Sequence, residues 1–282
     1  MEDPSVVNAL KPMKHHATSK IALLGAVGIA LANEARAQDP GFMPPTQSGR
    51  SGLLTVNFRS LDPSDTMDLA VNLGSVNPYQ DGSLTEATLI GPGTGLSSLE
   101  LSLFFGGNLN NLKLSVTGFE IVGSGLAAER WLFLSSPGLE LDRKPSSAQA
   151  LTLGNVDSFY ANIRNNGVEY GDPAAGGLPK ANAGSYTSRV GANGSWGHGQ
   201  PTEGSTGASF ASPVSVTLYE LAPDNTGGAG SPGRELGTFT LSSAGVLTYK
   251  AVPEPSTLAC LSLGGFLLWA LRPRRPGPTP QR

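Results

Sequence analysis

The sequence predicts a mainly β protein, with an antiparallel, sandwich-like body and one amphipathic helix between an N-terminal signal peptide and a C-terminal single transmembrane helix. Apolar and polar residues alternate in short segments of the middle of the chain, a pattern typical of half-buried strands. Glycine (37 residues) and proline (22 residues) are abundant, and many of them fall between these segments, where turns are expected. Each end of the 282-residue chain also carries its own apolar run.

The first segment, residues 1–37, has the layout of a secretory signal peptide. A short basic region precedes the apolar run Ile21–Ala32, which is too short to span a bilayer comfortably. Small residues then stand at the −3 and −1 positions of the predicted cleavage site, which comprises Ala35, Ala37 and Gln38. The mature chain is therefore expected to begin at Gln38. Met13 is an alternative translation start, because residues 1–12 add two acidic residues ahead of an otherwise ordinary basic region.

The second segment, residues 38–251, is expected to form the exported body. The predicted strands are Leu54–Phe58, Leu69–Leu73, Leu99–Phe105, Leu112–Val116, Val214–Tyr219, Gly237–Leu241 and Val246–Tyr249. Antiparallel strands with one polar face suit two packed sheets, so the pattern favours a sandwich over a barrel.

One stretch of the body departs from the alternating pattern. Val156, Phe159, Tyr160 and Ile163 recur at intervals of three and four residues, which predicts an amphipathic helix near residues 156–164. Residues 171–212 contain few large apolar side chains and are predicted to form a long loop or a flexible lobe.

Charge and cysteine content exclude several functional classes. The whole chain has a formal charge of −3, but residues 38–255 hold 11 Lys or Arg and 19 Asp or Glu, so this part carries −8. An acidic body without a basic stripe argues against nucleic-acid binding, which needs clustered cations. The single cysteine, Cys260, lies in the C-terminal apolar run, so the body has neither a disulfide nor a thiolate nucleophile.

The body shows no arrangement of residues that predicts catalysis, a cofactor or a metal site. Its single histidine, His198, lies in a glycine-rich stretch without a nucleophile motif and is expected to be an exposed loop residue. Asp62, Asp65 and Asp68 are spaced by three, which favours a turn at Asp62 over a calcium loop, whose ligands fall on alternate positions. Trp131 is expected in the core, whereas Trp196 is available to stack on a sugar ring.

The third segment, residues 252–282, has the features of a membrane signal. Pro253, Glu254 and Pro255 precede an apolar helix predicted over residues 257–271, and prolines prevent a helix from starting earlier. Its membrane-facing residues include Leu258, Leu261, Leu263, Phe266, Leu268 and Leu271. A cluster of Arg272, Arg274 and Arg275 follows and predicts that this end stays in the cytoplasm.

A Pro-Glu-Pro motif, a short helix and a terminal arginine cluster together resemble the PEP-CTERM sorting signal. Ser256 and Thr257 match the usual continuation of the motif, whereas Pro273, Pro276, Pro278 and Pro280 dilute the arginine cluster, which is a departure from it. The resemblance implies recognition by exosortase, an integral-membrane enzyme of mostly Gram-negative bacteria that make exopolysaccharide or biofilm matrix.

The resemblance and the composition together predict an exported envelope or matrix protein that is not an enzyme and is structural or adhesive. The alternative is a secreted carbohydrate-binding or carbohydrate-active domain. The expected partners are exosortase, the Sec export machinery and exopolysaccharide. The C-terminal helix is expected in the inner membrane transiently, before the protein reaches the cell surface or the extracellular matrix.

Overall fold

The computed structural model describes residues 52–252, except residues 95, 123–128, 145, 171 and 224–229. The predicted signal peptide, with Ala35, Ala37 and Gln38, lies outside the described residues. So do Pro253, Glu254 and Pro255, the predicted membrane helix and the arginine cluster.

Eleven strands of the described residues join one antiparallel sheet. They are β1 (Leu53–Ser60), β2 (Met67–Ser75), β3 (Glu86–Ile90), β4 (Leu112–Val122), β5 (Glu129–Ser136), β6 (Val168–Tyr170), β7 (Asp172–Pro179), β8 (Gly204–Ser205), β9 (Val214–Leu221), β10 (Arg234–Leu241) and β11 (Leu247–Ala251). The order across the sheet is β3-β11-β10-β9-β5-β4-β1-β2-β7-β6, and β8 pairs with β4 outside this path. The prediction of a mainly antiparallel β body is confirmed.

Four helices of the described residues accompany the sheet. They are α1 (Asn77–Gln80), α2 (Ser98–Phe104), α3 (Ser146–Asn166) and α4 (Tyr186–Val190). The predicted helix is confirmed as α3, and its apolar residues Val156, Phe159, Tyr160 and Ile163 are all buried. The helix starts ten residues earlier than predicted, and the prediction of a single helix is wrong.

Strand β1 shows how both faces of the sheet are used. It pairs with β2 on one side and β4 on the other, and all eight of its residues are buried. Side chains alternate along a strand, so Leu54, Val56 and Phe58 face the first core. The alternate residues face the second core; they are Leu53, Thr55, Asn57 and Arg59. A strand with one polar, solvated face was expected, and this strand has none.

The structure has one curled sheet with a core on each face instead of the predicted sandwich. One core takes side chains from β1, β2 and β4 and also from β9, β10 and β11, so the continuous sheet curls around it. The other core lies on the opposite face, where α3 and α4 cover the sheet. A single sheet therefore encloses the first core, and α3 and α4 pack on its opposite face to form the second core. The sequence predicted two sheets packed face to face instead.

The segment Leu99–Phe105 was predicted as a strand and is the helix α2. Ser97 caps it: its hydroxyl accepts from the Glu100 amide at 3.1 Å, and the Glu100 carboxylate accepts from the Ser97 amide at 2.7 Å. This reciprocal capping box satisfies two amides that a helix would otherwise leave unpaired. Leu99 and Leu103 are 67% and 59% exposed, so their alternation does not reflect burial on one face of a strand.

The predicted long loop 171–212 is also more ordered than expected. It contains β7, α4 and β8, and Tyr186, Val190 and Trp196 within it are fully or almost fully buried. Gly184, just before α4, lies against α3: a Cβ atom there would be 2.0 Å from the Asn162 side chain, so this close approach requires glycine.

The two ends of the sheet differ in what they carry. At one end, here called the exit end, the described chain enters β1 at Gly52 and leaves β11 at Val252. The amide of Val76, just before α1, donates to the Gly52 carbonyl at 2.9 Å, and Arg234 Nη2 donates to the Gln80 carbonyl at 3.1 Å. These two hydrogen bonds connect the region of α1 to the start of β1 and to the start of β10. The opposite end holds the β1–β2 loop, α2 and the turn 242–245 between β10 and β11.

Candidate functional site

The last strand holds the chain in the sheet up to the point where the predicted sorting segment starts. The amide of Ala251 donates to the Thr85 carbonyl at 2.8 Å, and the amide of Val252 donates to the Leu236 carbonyl at 3.1 Å. Ala251 is paired with Gly237 of β10. No flexible linker therefore separates the folded body from Pro253, the next residue.

The strand is also fixed by its side chains. The ring of Tyr249 is fully buried, contacts Tyr79 with ring centroids 4.9 Å apart, and donates from its hydroxyl to the Leu236 carbonyl at 2.9 Å. Burial raises the pKa of Tyr249 to about 12, so the hydroxyl keeps its proton at any physiological pH. The exit of the chain is thus anchored in the first core.

Acidic residues surround this exit. Glu120 accepts from Gln80 Nε2 at 3.3 Å, and burial raises its pKa, with the nearby charge of Glu220 adding to the shift. Glu220 itself forms an ion pair with Arg234. At this end of the sheet the acidic side chains of the described residues include Asp81, Glu86, Glu120, Glu129, Asp142, Glu220 and Glu235, and the basic ones include Arg130, Arg143, Arg234 and Lys250.

The second core contains a polar network that the sequence analysis did not identify. Arg59 of β1 forms a bidentate ion pair with Glu203, from Nε to Oε1 at 2.7 Å and from Nη2 to Oε2 at 2.6 Å. The guanidinium also lies 5.9 Å from the ring centre of Tyr186, which stacks on Trp196 at 5.3 Å. These contacts join β1, α4 and the segment before β8.

Beside this network lies a groove of about 460 Å³ between the β1–β2 loop and the end of β7. Lys180 lines it and donates from Nζ to the Ser60 carbonyl at 2.7 Å, and burial lowers the pKa of this lysine. Asp68 is fully buried nearby and accepts from the amide and hydroxyl of Thr187 at 2.6 and 2.8 Å. Desolvation raises the pKa of Asp68. Arg59, Asp62 and Lys180, which line the groove, bond to their own protein neighbours.

The expected exposure of His198 is wrong. Its side chain is 3% exposed, and its Nε2 lies 2.9 Å from the carbonyl oxygen of Asp142. Burial lowers the pKa of His198, and the positive charge of Lys144 adds to the shift. The ring therefore links the glycine-rich stretch to the chain after β5, which is a packing role.

The role expected of Trp196 in sugar stacking is also contradicted. The indole is fully buried, packs against Phe159 and Tyr186, and donates from Nε1 to the Ser115 hydroxyl at 3.3 Å. No face of this ring is open to a ligand. Trp131, which was expected in the core, is only partly buried and packs against the first core.

The three aspartates spaced by three do not converge on one point. Asp62 caps a turn, accepting from the amide and hydroxyl of Ser64 at 2.9 and 2.7 Å, as the sequence predicted. Asp68 points into the protein toward Thr187 instead. Among the described residues, no three His, Cys, Asp or Glu side chains form a group that could hold a metal ion.

Sequence reasoning had no signal for most of this network. Arg59 and Glu203 lie in segments far apart in the chain, and neither belongs to a recognisable motif. One signal was present: Thr55, Asn57 and Arg59 are polar residues on alternate positions of a strand whose other residues are large and apolar. The alternation predicts a solvated face for Thr55 and Asn57 and makes no prediction for Arg59. In the structure this polar face of β1 lies under α3 and α4.

Comparison with known proteins agrees with the reading of the C-terminus. Residues 251–275 match the PEP-CTERM protein-sorting motif. No curated protein and no solved structure matches the chain. Within the part of the chain that the structure describes, no helix is both long and apolar enough to cross a membrane.

The match begins at Ala251, which is the last residue of β11, so the motif overlaps the folded body by two residues of the described chain. The motif implies exosortase-dependent sorting, with export toward the cell surface. The chain therefore carries a PEP-CTERM protein-sorting motif at residues 251–275, as its sequence predicted.

Proposed function

We propose that this protein is a non-enzymatic surface protein of the cell envelope, structural or adhesive in an exopolysaccharide context, which exosortase processes at the end of its last strand. The observation that supports this most directly is the junction itself. Val252 is hydrogen-bonded to Leu236, and the sorting motif follows without a linker. A signal joined in this way holds the body at a defined distance and orientation to the membrane.

The distance follows from chain length. Residues 253–256 separate the body from the helix predicted over residues 257–271, and four extended residues span at most about 14 Å. The exit end of the sheet then faces the membrane while the helix is inserted, and the opposite end faces away from it. The exit end is acidic, so it is not attracted to an anionic lipid surface. The opposite end is the surface available to other molecules.

The proposal that the body is not an enzyme is supported by the use of its titratable residues. Arg59 and Glu203 pair with each other, Asp68 is bonded to Thr187, and the His198 ring is bonded to the Asp142 carbonyl. Each of these groups is buried and has a structural partner, whereas general acid–base catalysis needs a group within reach of a substrate. The alternative of a carbohydrate-active domain loses Trp196 as a stacking surface.

Replacing Pro253, Glu254 and Pro255 together by alanine tests the sorting role. A plain membrane anchor needs only the apolar helix and its arginines, whereas a sorting signal needs the motif. We expect the variant to accumulate uncleaved in the inner membrane, and the surface form, followed by mass spectrometry of both termini in each cell fraction, to disappear.

The matched control replaces three residues after the arginine cluster, Pro276, Pro278 and Pro280, by alanine. This control carries three proline-to-alanine changes, one more than the tested variant, and we expect it to be processed like the unmodified chain. If the Pro-Glu-Pro variant is also processed and localised normally, the segment is only an anchor and the proposed function is wrong.

A further inference from the structure

The end of the sheet opposite the exit contains a second cavity, of about 230 Å³, between α2, the loop before β4 and the turn between β10 and β11. Its lining includes Ser102, Asn108, Leu109, Asn110, Phe210 and Ser243. None of the residues that line it is charged, although the body as a whole is acidic. This cavity is smaller than the ~300–1,000 Å³ of sites for drug-sized ligands, and it suits one ring of a longer molecule.

The two asparagines are oriented by the backbone. The Asn108 side-chain oxygen accepts from the Asn110 amide at 2.9 Å, and the Asn110 side-chain oxygen accepts from the Phe210 amide at 2.8 Å. Because backbone amides only donate, these bonds identify which side-chain atom is oxygen and which is nitrogen. Among the described residues no acceptor is bonded to either NH₂ group, so both are free to donate to a ligand.

The frame around the asparagines is rigid. The Thr206 hydroxyl donates to the Leu109 carbonyl at 2.7 Å and accepts from the Leu112 amide at 2.8 Å, which binds the segment leading to Phe210 to the start of β4. The amide of Gly107 donates to the Ser102 carbonyl at 2.8 Å, and the positive φ angles of Gly106 and Gly107 allow the tight turn that follows α2. Donors held in this way lose little freedom when a ligand binds.

The chemistry of the lining selects a ligand class. Two fixed N–H donors and the hydroxyls of Ser102 and Ser243 suit a ligand rich in hydroxyl and ether oxygens. Phe210 and Leu109 add an apolar wall that fits the C–H face of a ring. An anionic ligand would need a cation, which the lining lacks, and a purely apolar ligand would leave the amide groups unpaired at a cost.

From this geometry we infer that the cavity is a binding site for one sugar unit of a neutral polysaccharide. The site lies beside Ala244 in the turn 242–245. The five residues of β11, Leu247–Ala251, span about 17 Å between this turn and the exit end. The inference rests on the proposed function for its biological setting, because the site then faces away from the membrane.

The experiment uses the processed protein recovered from cells, run in native gels that contain dextran, galactomannan or, as an anionic comparison, alginate. We expect at least one neutral polysaccharide to retard the protein and alginate to have no effect. Asn108→Ala removes one fixed donor and should weaken binding about fivefold, the effect of one neutral hydrogen bond. Ala244→Trp fills the cavity from an exposed turn and should weaken binding at least tenfold.

Asn165→Ala is the matched control, because Asn165 is an exposed asparagine at the end of α3, in a helix that covers the other face of the sheet. It should bind like the unmodified protein. Thermal unfolding midpoints of Ala244→Trp and Asn165→Ala should agree with that of the unmodified protein, since these side chains are exposed. Asn108→Ala also removes the acceptor of the Asn110 amide, so its midpoint should fall by about 2–4 °C. The inference is overturned if no neutral polysaccharide retards the unmodified protein, or if Ala244→Trp and Asn108→Ala bind as well as Asn165→Ala.

Failure of this inference is distinguishable from failure of the proposed function. Surface display is followed separately, by the accessibility of the body to added protease on intact cells. If the protein reaches the surface but binds no neutral polysaccharide, only the sugar site is wrong. If it binds a neutral polysaccharide but does not reach the surface, only the proposed surface display is wrong.

Discussion

Arg59 and Glu203 are 144 residues apart in the chain, yet their side chains form a bidentate ion pair that is almost inaccessible to solvent, with side-chain exposures of 11% and 5%. The pair ties the segment before β8 to the central strand β1. Tyr186 and Trp196 stack next to it, so the second core depends on a charged pair at its edge.

We predict that Glu203→Ala lowers the free energy of unfolding by about 3–5 kcal/mol, because it leaves the buried Arg59 guanidinium without its counter-charge. Chemical denaturation of the purified protein measures this. The double variant Arg59→Met with Glu203→Leu removes both charges and keeps apolar volume, so its loss should be much smaller. Similar losses for the single and the double variant would contradict the ion-pair explanation.

The pH dependence of stability should report on His198. Burial lowers its pKa in the folded protein below the ordinary 6.5, while the unfolded chain keeps the ordinary value. The unfolded state therefore binds the proton first as pH falls, and the folded state loses stability below about pH 6.5. His198→Gln keeps a donor for the Asp142 carbonyl but does not titrate, so its unfolding free energy should fall less between pH 7 and pH 5.

Asp68 and Glu120 act in the opposite direction, since burial raises their pKa values and their contribution to stability is lost as pH rises. Both carboxyls are present in the unmodified protein and in His198→Gln, so the difference between the two curves isolates the histidine. Parallel curves would show that His198 does not titrate in this range.

The capping box of α2 gives a third prediction. Ser97→Ala removes the hydroxyl that accepts from the Glu100 amide, and it should cost about 1 kcal/mol of stability. Ser98→Ala, one residue further into the helix, is the control and should change stability by less than about 0.5 kcal/mol. Equal effects of the two substitutions would argue against the cap.

Gly237 provides a test of the anchored exit. A Cβ atom there would lie 2.5 Å from the Tyr249 ring and 2.6 Å from the Lys250 carbonyl oxygen, so Gly237→Ala must displace β11. We expect a loss of about 1–3 kcal/mol and faster hydrogen exchange at Ala251 and Val252. Gly74→Ala is not a suitable control because of its positive φ angle, whereas Gly154→Ala, which meets nothing within 4 Å, is suitable. Unchanged exchange at Val252 in Gly237→Ala would contradict the tight pairing.

A charge within the predicted membrane helix should prevent insertion. Leu263→Arg places an arginine near the middle of residues 257–271, at a cost of about 2.5–3.5 kcal/mol on insertion scales. The variant should leave the inner-membrane fraction before processing, whereas Leu263→Ile should not. Normal retention of Leu263→Arg would contradict a membrane-inserted helix.

Local patterns predicted much of the body. The alternation in β1, β2, β4 and β9–β11 and the three- and four-residue spacing in α3 reflect burial that repeats along one element, so a single segment reveals it. The same rule predicted a strand at Leu99–Phe105, which is wrong. Leu99 and Leu103 alternate with other residues like the buried positions of a strand, but both are exposed on a helix. Ser97 and Glu100 carried the correct signal in the form of a capping box, which is a local pattern as well.

The sequence by itself determined the sorting motif, the acidic charge of the body, and most strands. These features are written in consecutive residues, and no distant contact is needed to recognise them. The tertiary structure alone decided that one sheet curls around the first core, that Arg59 meets Glu203, that His198 and Trp196 are buried, and that Asn108 and Asn110 share a cavity with Ser243. Those facts depend on strand pairing between residues far apart in the chain, and pairing is set by the total packing of both faces, which no single segment encodes.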